Sequence, residues 1–242
     1  KKTVPPLIKE RLKLSDTKVI DPIVDITNYV LLELGQPLHA FDADKLEGNL
    51  QVRFAKEKEK ITLLDENQLS LDEKSLVIAD QKKPVALAGI MGGLETGISN
   101  KTQAIYLESA FFTPAAIRGR ARKFSIQTDA STRFERGVDF ELQVLAIQRA
   151  STLINETLGS DFSPIQEFIR KSSIPKNKDI ILNINNLNKI LGTNLTKSSV
   201  KKGLSSLGLR NSVSNSNNLR VKVPSWRFDL KIEADLIEEI AR

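Results

Sequence analysis

The sequence predicts an α+β fold, with a mixed-sheet domain over residues 1–168 and a small winged-helix-like α+β module over residues 169–242. Short apolar or alternating runs, typical of strands, follow one another between residues 50 and 110 and are flanked by amphipathic helical stretches. A polar linker, "KSSIPKNK", precedes a second and smaller set of strand and helix patterns. The 242 residues are enough for one large domain or two smaller ones.

Helical patterns begin and end the first region. "PPLIKERLKL" predicts a helix that starts with prolines, and "VDITNYVLLELG" predicts a helix that Gly35 ends. Strands are predicted in "LQVRFA", "KITLLD", "SLVIAD", "PVALAGI" and "AIYLESA". "FTPAAIRGRARKF" predicts a helix with Thr113 at the N-cap and Pro114 at the first helical position. The longest predicted helix, "DFELQVLAIQRASTLINETLG", ends at Gly159. Its expected inward face carries Leu142, Leu145, Ala146 and Ala150.

The second region reads as a strand, two helices and a hairpin. The strand is "DIILNI", the helices are "NNLNKILG" and "TKSSVKKGLSSLG", and the hairpin strands "LGLRNSV" and "NLRVKVP" flank the polar turn "SNSN". This pattern is typical of small winged-helix-like modules. Many such modules bind nucleic acid and many are scaffolds, so the pattern leaves both functions open.

Composition excludes several classes of protein. The chain is 40% hydrophobic and 27% charged, as in ordinary soluble globular proteins. It has no cysteine, which excludes disulfides, cysteine-bound zinc and thiol nucleophiles. No apolar run reaches the roughly 18 residues that a membrane span needs, and the first residues carry no signal-peptide core. We therefore expect a cytoplasmic protein without a membrane partner, cut at both ends from a longer chain.

The charge is unevenly distributed. Net charge is +6, which favours a polyanionic partner or a solvated lysine-rich surface. Residues 171–223 contain ten Lys or Arg and one acid, whereas residues 224–242 contain three basic and five acidic side chains. Residues 118–139 contain six basic and three acidic side chains. A partner that responds to charge would meet two basic regions and an acidic end.

The stretch "GQPLHAFD" holds the only histidine, His39. A lone imidazole is either an acid/base or hydrogen-bonding group of a site or a packed ring. Pro37 and Phe41 beside it suit a rigid turn in either case. Local sequence therefore leaves the role of His39 open.

Four peptides together point to a known family: "DPIVDITNYVLLELGQPLHAFD", "ALAGIMGG", "YLESAFFTPAAIRGRARKFSIQTDASTRFERGVD" and "VPSWRFDLKIEADLIEEIAR". In this order, along essentially the whole chain, they closely resemble the beta-subunit family of bacterial phenylalanyl-tRNA synthetase. The resemblance implies an editing domain that hydrolyses tyrosine mistakenly attached to phenylalanine tRNA and needs no cofactor. It also implies an alpha subunit that carries aminoacylation, in an ATP- and magnesium-dependent ligase of two alpha and two beta chains.

The resemblance also implies catalytic residues. His39 matches the family's pocket histidine, which would position the attacking water or hydrogen-bond the ester and the terminal ribose. Thr128, in "QTDAS", matches a threonine whose hydroxyl would orient water. The alternatives are a packed histidine and a helix-capping threonine. No Ser-His-Asp order or nucleophile elbow supports covalent catalysis, so attack by an oriented water is the simpler expectation.

The same resemblance implies a substrate pocket. Glu108, in "LESAFF", matches the residue that contacts the tyrosine hydroxyl, although without the resemblance its sequence context favours a strand-edge side chain facing water. The other matching pocket positions are Thr27, Asn28, Gly92, Gly93 and Ala130. Without the family, these residues suit a polar helix face, a turn and a capping segment. Lys18 stands where the family often has arginine, and lysine lacks the planar fork that binds phosphate or carboxylate bidentately.

Two charged clusters complete the candidate sites. The basic cluster is Arg118, Arg120, Arg122 and Lys123, which would meet tRNA phosphates or form a solvated helix face. The acidic cluster is Asp229, Asp235, Glu238 and Glu239, and its last three carboxylates share one helical face. The resemblance implies that the acidic cluster binds magnesium at a site shared with the alpha subunit. The alternative is an exposed acidic stripe.

Overall fold

A computed structural model describes residues 3–242 and confirms the α+β class. The fold divides into two compact units. The first runs through Val138 and continues over Leu142–Ser173, and the second comprises Asp139–Glu141 and Ile174–Arg242. The predicted domain boundary at residue 168 stays a prediction. Among the described residues, no helix is long and apolar enough to cross a membrane.

Besides two short 3-10 helices at Ala43–Lys45 and Lys171–Ser173, the first unit combines six α-helices and eight strands in its described part. They are α1 (Pro6–Leu14), α2 (Pro22–Leu34), β1 (Leu38–Asp42), β2 (Gln51–Phe54), β3 (Lys60–Thr62), β4 (Gln68–Ser70), β5 (Leu76–Ala79), β6 (Pro84–Leu87), β7 (Met91–Gly92), β8 (Ile105–Ser109), α3 (Pro114–Ile117), α4 (Arg120–Lys123), α5 (Asp129–Arg136) and α6 (Gln143–Leu158). Strands β2, β5, β6 and β7 form an antiparallel sheet in the order β2-β5-β6-β7, and β3 pairs with β4.

Strand β1 follows α2 after a sharp change of direction. Gly35 ends α2 with a φ of 80°, a left-handed conformation that glycine adopts at little cost. The expected rigid turn around Pro37 and Phe41 is wrong, because β1 begins at Leu38 and pairs with β8. The partner strand lies more than sixty residues further along the chain, so local sequence carried no sign of the pairing.

The β1–β8 ribbon separates two apolar cores. Side chains alternate across a strand, so Ala40 and its partner Leu107 lie on one face and His39 and its partner Glu108 on the other. The face with Ala40 joins a core with α1, α2 and α6. The opposite face carries Phe41, which belongs to the core under the four-stranded sheet. His39 and Glu108 therefore lie on the side of that second core.

Two helix predictions need correction. The basic stretch "RGRARK" does not continue a helix from Pro114, because Gly119 adopts a φ of 74° and separates α3 from α4. In α6, Leu145 is 54% exposed and Leu142 is only partly buried. The buried stripe is Ala146, Ala150, Leu153 and Ile154. A helix face is thus set by what packs on it as well as by its apolar residues.

The second unit contains the predicted strand, two helices and hairpin. Its elements are β9 (Ile180–Asn183), α7 (Ile184–Leu191), α8 (Lys197–Ser206), β10 (Asn211–Val213), β11 (Asn218–Val221) and α9 (Glu233–Ala241). The antiparallel sheet has the order β10-β11-β9. Leu187, Leu204 and Leu236, one from each helix, are fully buried in its core.

Candidate functional site

The centre of the candidate site is a cross-strand pair. His39 on β1 lies directly opposite Glu108 on β8 in the antiparallel register. Directly opposed residues point to the same face of a sheet with neighbouring Cβ atoms. The sequence is therefore folded so that a lone histidine and a carboxylic acid stand side by side.

The His39 ring is enclosed by protein. It packs edge-on against Phe41, with ring centroids 4.5 Å apart. Its Nε2 atom is buried and has no hydrogen-bond partner in the described part of the chain. Burial lowers the pKa of His39 to about 4, because a charged imidazolium loses its hydration there. The ring is neutral at physiological pH, and its buried Nε2 has an unused hydrogen-bonding capacity.

Glu108 is the second titratable group of the pair. Its side chain keeps some exposed surface, yet the carboxyl is deeply surrounded by protein and burial raises its pKa to about 7. Desolvation is the only cause of the shift, so no neighbouring cation stabilises the charged form. Near neutral pH the carboxyl is a mixture of an acceptor-only carboxylate and a neutral acid that also donates.

The two glycines of "IMGG" make close approaches to different groups. A Cβ on Gly92 would lie 2.3 Å from Cε1 and 2.4 Å from Nε2 of His39. A Cβ on Gly93 would lie 2.6 Å from the carbonyl oxygen of Val85, and the Gly93 amide donates to that oxygen. Gly92 thus makes room for the imidazole, and Gly93 makes room for the neighbouring strand. Their predicted contact with substrate stays a prediction.

Thr128 and Ala130 lie at the start of α5. The Thr128 hydroxyl caps this helix by accepting from the Ser131 amide, and it donates to the Ile90 carbonyl at 2.9 Å. Ile90 lies two residues before Gly92, so the bond ties the start of α5 to the His39 side of the fold. Ala130 is partly buried against the same core. The proton of Thr128 is already committed, which leaves its oxygen as an acceptor only.

Thr27 and Asn28 lie on α2. Thr27 is buried, and its hydroxyl donates to the Val24 carbonyl one turn earlier in the helix. Asn28 is partly buried. Helix α2 packs against the ribbon face that carries Ala40, opposite the face with His39. A role for these two residues beside a substrate stays a prediction.

The basic cluster is divided by its partners. Arg120 and Lys123 both pair with Asp72 and hold the pKa of that carboxyl well below its usual range. Arg118 is exposed, and its guanidinium contacts only the Glu135 carbonyl in the described structure, at 3.4 Å. Arg122 is also exposed. The cluster therefore offers two exposed arginines, Arg118 and Arg122, and two basic side chains, Arg120 and Lys123, that Asp72 partly neutralises.

The acidic cluster does not fit a magnesium ion as it is arranged. Arg227 binds Asp229 and Glu239 together, and Glu238 pairs with Arg242. Asp235 accepts from the Lys231 and Ile232 amides at the start of α9. No group of three or more metal-binding side chains occurs among residues 3–242. Each carboxylate already has a partner that magnesium would have to displace.

One polar residue near the pair was missed from the sequence. Gln36 is fully buried and hydrogen-bonds to both strands at one end of the ribbon, where β1 begins and β8 ends. A buried glutamine is uncommon and is satisfied by definite partners when it occurs. The sequence signal for this role was the position of Gln36 between Gly35, which ends the helix, and Pro37. Proline has no amide proton, so at this position it leaves one carbonyl of the ladder without a donor.

Comparison with known proteins places both units in known domain families. Residues 1–159 match the B3/4 domain family, and residues 180–242 match the tRNA synthetase B5 domain family. The phenylalanine–tRNA ligase beta subunit of Coxiella burnetii is 51% identical over 234 residues, covering 97% of this chain and 29% of that protein. The beta subunit of Idiomarina loihiensis is 49% identical over 238 residues, covering 98% of this chain and 30% of that protein.

The chain therefore spans less than a third of the length of these curated relatives. A crystal structure of an N-terminal fragment of the phenylalanyl-tRNA synthetase beta subunit from Pyrococcus horikoshii is also similar. The two share 13% identity with a TM-score of 0.41, over 90% of this chain and 64% of that chain.

Proposed function

The chain belongs to the phenylalanine–tRNA ligase beta-subunit family, and on this premise we propose that its first unit hydrolyses tyrosine mistakenly attached to phenylalanine tRNA. The observation that carries the proposal is the pairing of His39 with Glu108 on one enclosed face of the β1–β8 ribbon. Among the described residues, His39 Nε2 is buried without a hydrogen-bond partner, and desolvation of Glu108 is offset by no hydrogen bond or nearby cation. A bound substrate would supply those partners.

Glu108 is suited to recognise a phenolic hydroxyl. A pocket for phenylalanine rejects an added hydroxyl only modestly, so a second site that requires the hydroxyl improves accuracy. An ionised Glu108 accepts a hydrogen bond from tyrosine, whereas bound phenylalanine would leave the desolvated carboxylate without a partner. The desolvation that raises the Glu108 pKa is the same property that would make this discrimination effective.

His39 is suited to orient the ester or the attacking water. A neutral imidazole can accept from water or donate to an ester oxygen or the ribose, and it remains neutral throughout the physiological range. Thr128 adds an acceptor oxygen whose own proton is held by Ile90. The mechanism is attack by a positioned water rather than covalent catalysis, and it uses orientation and hydrogen bonding to the developing oxyanion.

The wider setting follows from the same family membership. We propose that the chain works within a cytoplasmic ligase that attaches phenylalanine to its tRNA with ATP and magnesium, beside an alpha subunit in a two-alpha, two-beta assembly. The exposed guanidinium groups of Arg118 and Arg122 support contact with tRNA phosphates. They equally favour the second candidate, a tRNA-binding or subunit-bridging scaffold without hydrolytic activity.

Single-turnover deacylation separates these functions. Tyrosyl-tRNA is incubated with the wild-type chain, with His39→Ala/Glu108→Ala and with Gly203→Ala, a helix substitution in the second unit. We expect the wild type and Gly203→Ala to release tyrosine at the same rate and the double variant to approach the uncatalysed rate. If all three proteins bind tRNA equally and release tyrosine at the same rate, the result would favour the scaffold.

A further inference from the structure

We infer that Gln36 is a positioning residue that holds His39 and Glu108 opposite each other, an inference whose catalytic consequence rests on the proposed function. The side chain is fully buried and lies immediately before β1. Its hydrogen bonds go to Pro37, Ala110 and Gln143 rather than to His39 or Glu108, so it acts through the backbone of the ribbon.

The need for Gln36 arises from Pro37. The β1–β8 ladder ends at the pair Leu38 and Ser109, and the next opposed positions would be Pro37 and Ala110. Proline has no amide proton, so it cannot donate across the ladder to Ala110. The Gln36 side chain provides that donor: its Nε2 atom donates to the Ala110 carbonyl at 2.8 Å and to the Pro37 carbonyl at 3.0 Å.

A third bond fixes the amide itself. Gln36 Oε1 accepts from Gln143 Nε2 at 3.0 Å, at the first residue of α6. The Ser109 hydroxyl donates to the Gln143 carbonyl at 2.8 Å, which brings the end of β8 into the same network. The two protons of the Gln36 amide and its oxygen are thus all engaged, in a site without water-exposed surface.

This network lies one residue pair away from His39 and Glu108. The other end of the ladder is held by Asp42, which accepts from the Thr102 hydroxyl at 2.7 Å. A slip of one residue in the register would turn His39 toward the helices and away from the face that carries Glu108 and Phe41. Gln36 opposes fraying and slippage at the end nearest the pair, where the ladder cannot continue.

The only histidine of the chain makes the inference testable by NMR. Gln36→Met keeps a similar volume and removes both donors. Thr102→Val removes the hydroxyl that donates to Asp42 and accepts from the Ser99 amide at the far end of the same ribbon. We expect Gln36→Met to shift the His39 ring resonances and move its titration midpoint from about 4 toward 6.5, because water reaches the ring. Thr102→Val should leave both unchanged at a comparable loss of stability.

Deacylation of tyrosyl-tRNA gives the second measurement. Displacement of a catalytic group by a fraction of an ångström to 1 Å costs on the order of tenfold to a hundredfold in rate, so kcat should fall by about this factor in Gln36→Met alone. The His39 titration is measured without tRNA, so inactivity of the wild type would remove the proposed function and leave the positioning result standing. Unchanged His39 resonances in folded Gln36→Met would overturn the inference. If Gln36→Met does not fold, Gln143→Met, which removes the bond to Gln36 Oε1, must shift the same resonances, and unshifted resonances in that variant would overturn the inference.

Discussion

His39 and Glu108 are directly opposed across β1 and β8, and burial moves their pKa values in opposite directions. The pKa of His39 falls to about 4 and that of Glu108 rises to about 7, because each group loses hydration in its charged form. The fold therefore keeps His39 neutral at physiological pH and opposes the ionisation of Glu108. This arrangement costs stability whenever either group is charged in the folded protein, and it gives the pH dependence of folding a definite sign.

The free energy of unfolding of Glu108→Gln, relative to that of the wild type, should be higher at pH 8 than at pH 4. The raised pKa of Glu108 means that its contribution is fully present below 4.5 and is lost as pH rises through about 7. The amide of the variant does not ionise, so the variant gains on the order of 2–3 kcal/mol relative to wild type between these pH values. Urea denaturation at pH 4 and pH 8 measures the change.

His39→Gln serves as the control of opposite sign. The lowered pKa of His39 means that the wild type loses stability as pH falls from 6.5 to about 4, and the variant does not. The two slopes oppose each other in the wild type between pH 4.5 and 6.5. If both variants changed the pH dependence in the same direction, the pair would not be buried as described.

The sequence predicted correctly those features of the fold that depend on residues close together in the chain. Gly35 and Gly159 end α2 and α6 as predicted, because a left-handed helix C-cap depends on a single residue that is usually glycine. The β1 strand was missed, since its stability comes from β8 and from two cores rather than from its own residues. Residue types and family resemblance selected His39 and Glu108, yet no local pattern could show that they are cross-strand partners.

Glu108→Ala should abolish most of the preference for tyrosine. A hydrogen bond to a charged group contributes roughly 1.5–3 kcal/mol, so discrimination against phenylalanine should reach on the order of 10²-fold in the wild type. Glu108→Gln retains a hydrogen-bonding amide and should lose part of it. Single-turnover deacylation of tyrosyl- and phenylalanyl-tRNA gives the ratio. His39→Ala should slow hydrolysis and keep the ratio, and a wild-type ratio in Glu108→Ala would remove Glu108 as the hydroxyl reader.

Binding of tRNA should depend on salt chiefly through Arg118 and Arg122. Each lost phosphate contact flattens the slope of log affinity against log salt by about 0.7–0.9. Arg118→Ala/Arg122→Ala should therefore reduce the slope by roughly 1.4–1.8 in filter-binding titrations. Arg120→Ala/Lys123→Ala is the matched control and should have a smaller effect, because Asp72 already pairs with both. An equal effect of the two double variants would show that the pairing with Asp72 does not persist on RNA.

The isolated chain should bind magnesium weakly. Magnesium requires near-octahedral oxygen ligands, and the carboxylates of Asp229 and Glu239 are both engaged by Arg227. Calorimetric titration should give no micromolar affinity. Arg227→Gln removes the competing cation, and we expect it to increase affinity for magnesium. Micromolar binding by the wild-type chain would contradict the arrangement of the acidic cluster.

Gly92→Ala should impair the site while leaving the fold in place. The added methyl would lie 2.3 Å from the His39 ring, which cannot retreat far because it packs against Phe41. Overpacking of this kind costs about 1–3 kcal/mol, and the ring relieves it by moving away from its position opposite Glu108. We expect shifted His39 resonances, slower deacylation of tyrosyl-tRNA and a modest fall in the unfolding midpoint.

Gly93→Ala is the matched control for this prediction. Its methyl would meet the Val85 carbonyl at 2.6 Å, which is backbone of the neighbouring strand rather than the imidazole. The substitution should therefore lower stability at least as much as Gly92→Ala and disturb the His39 resonances less. The two variants at adjacent glycines thus distinguish an effect on stability from an effect on the position of the His39 ring. Equal displacement of the His39 signals in both variants would show that the imidazole responds to general strain in β7 and not to the space at residue 92.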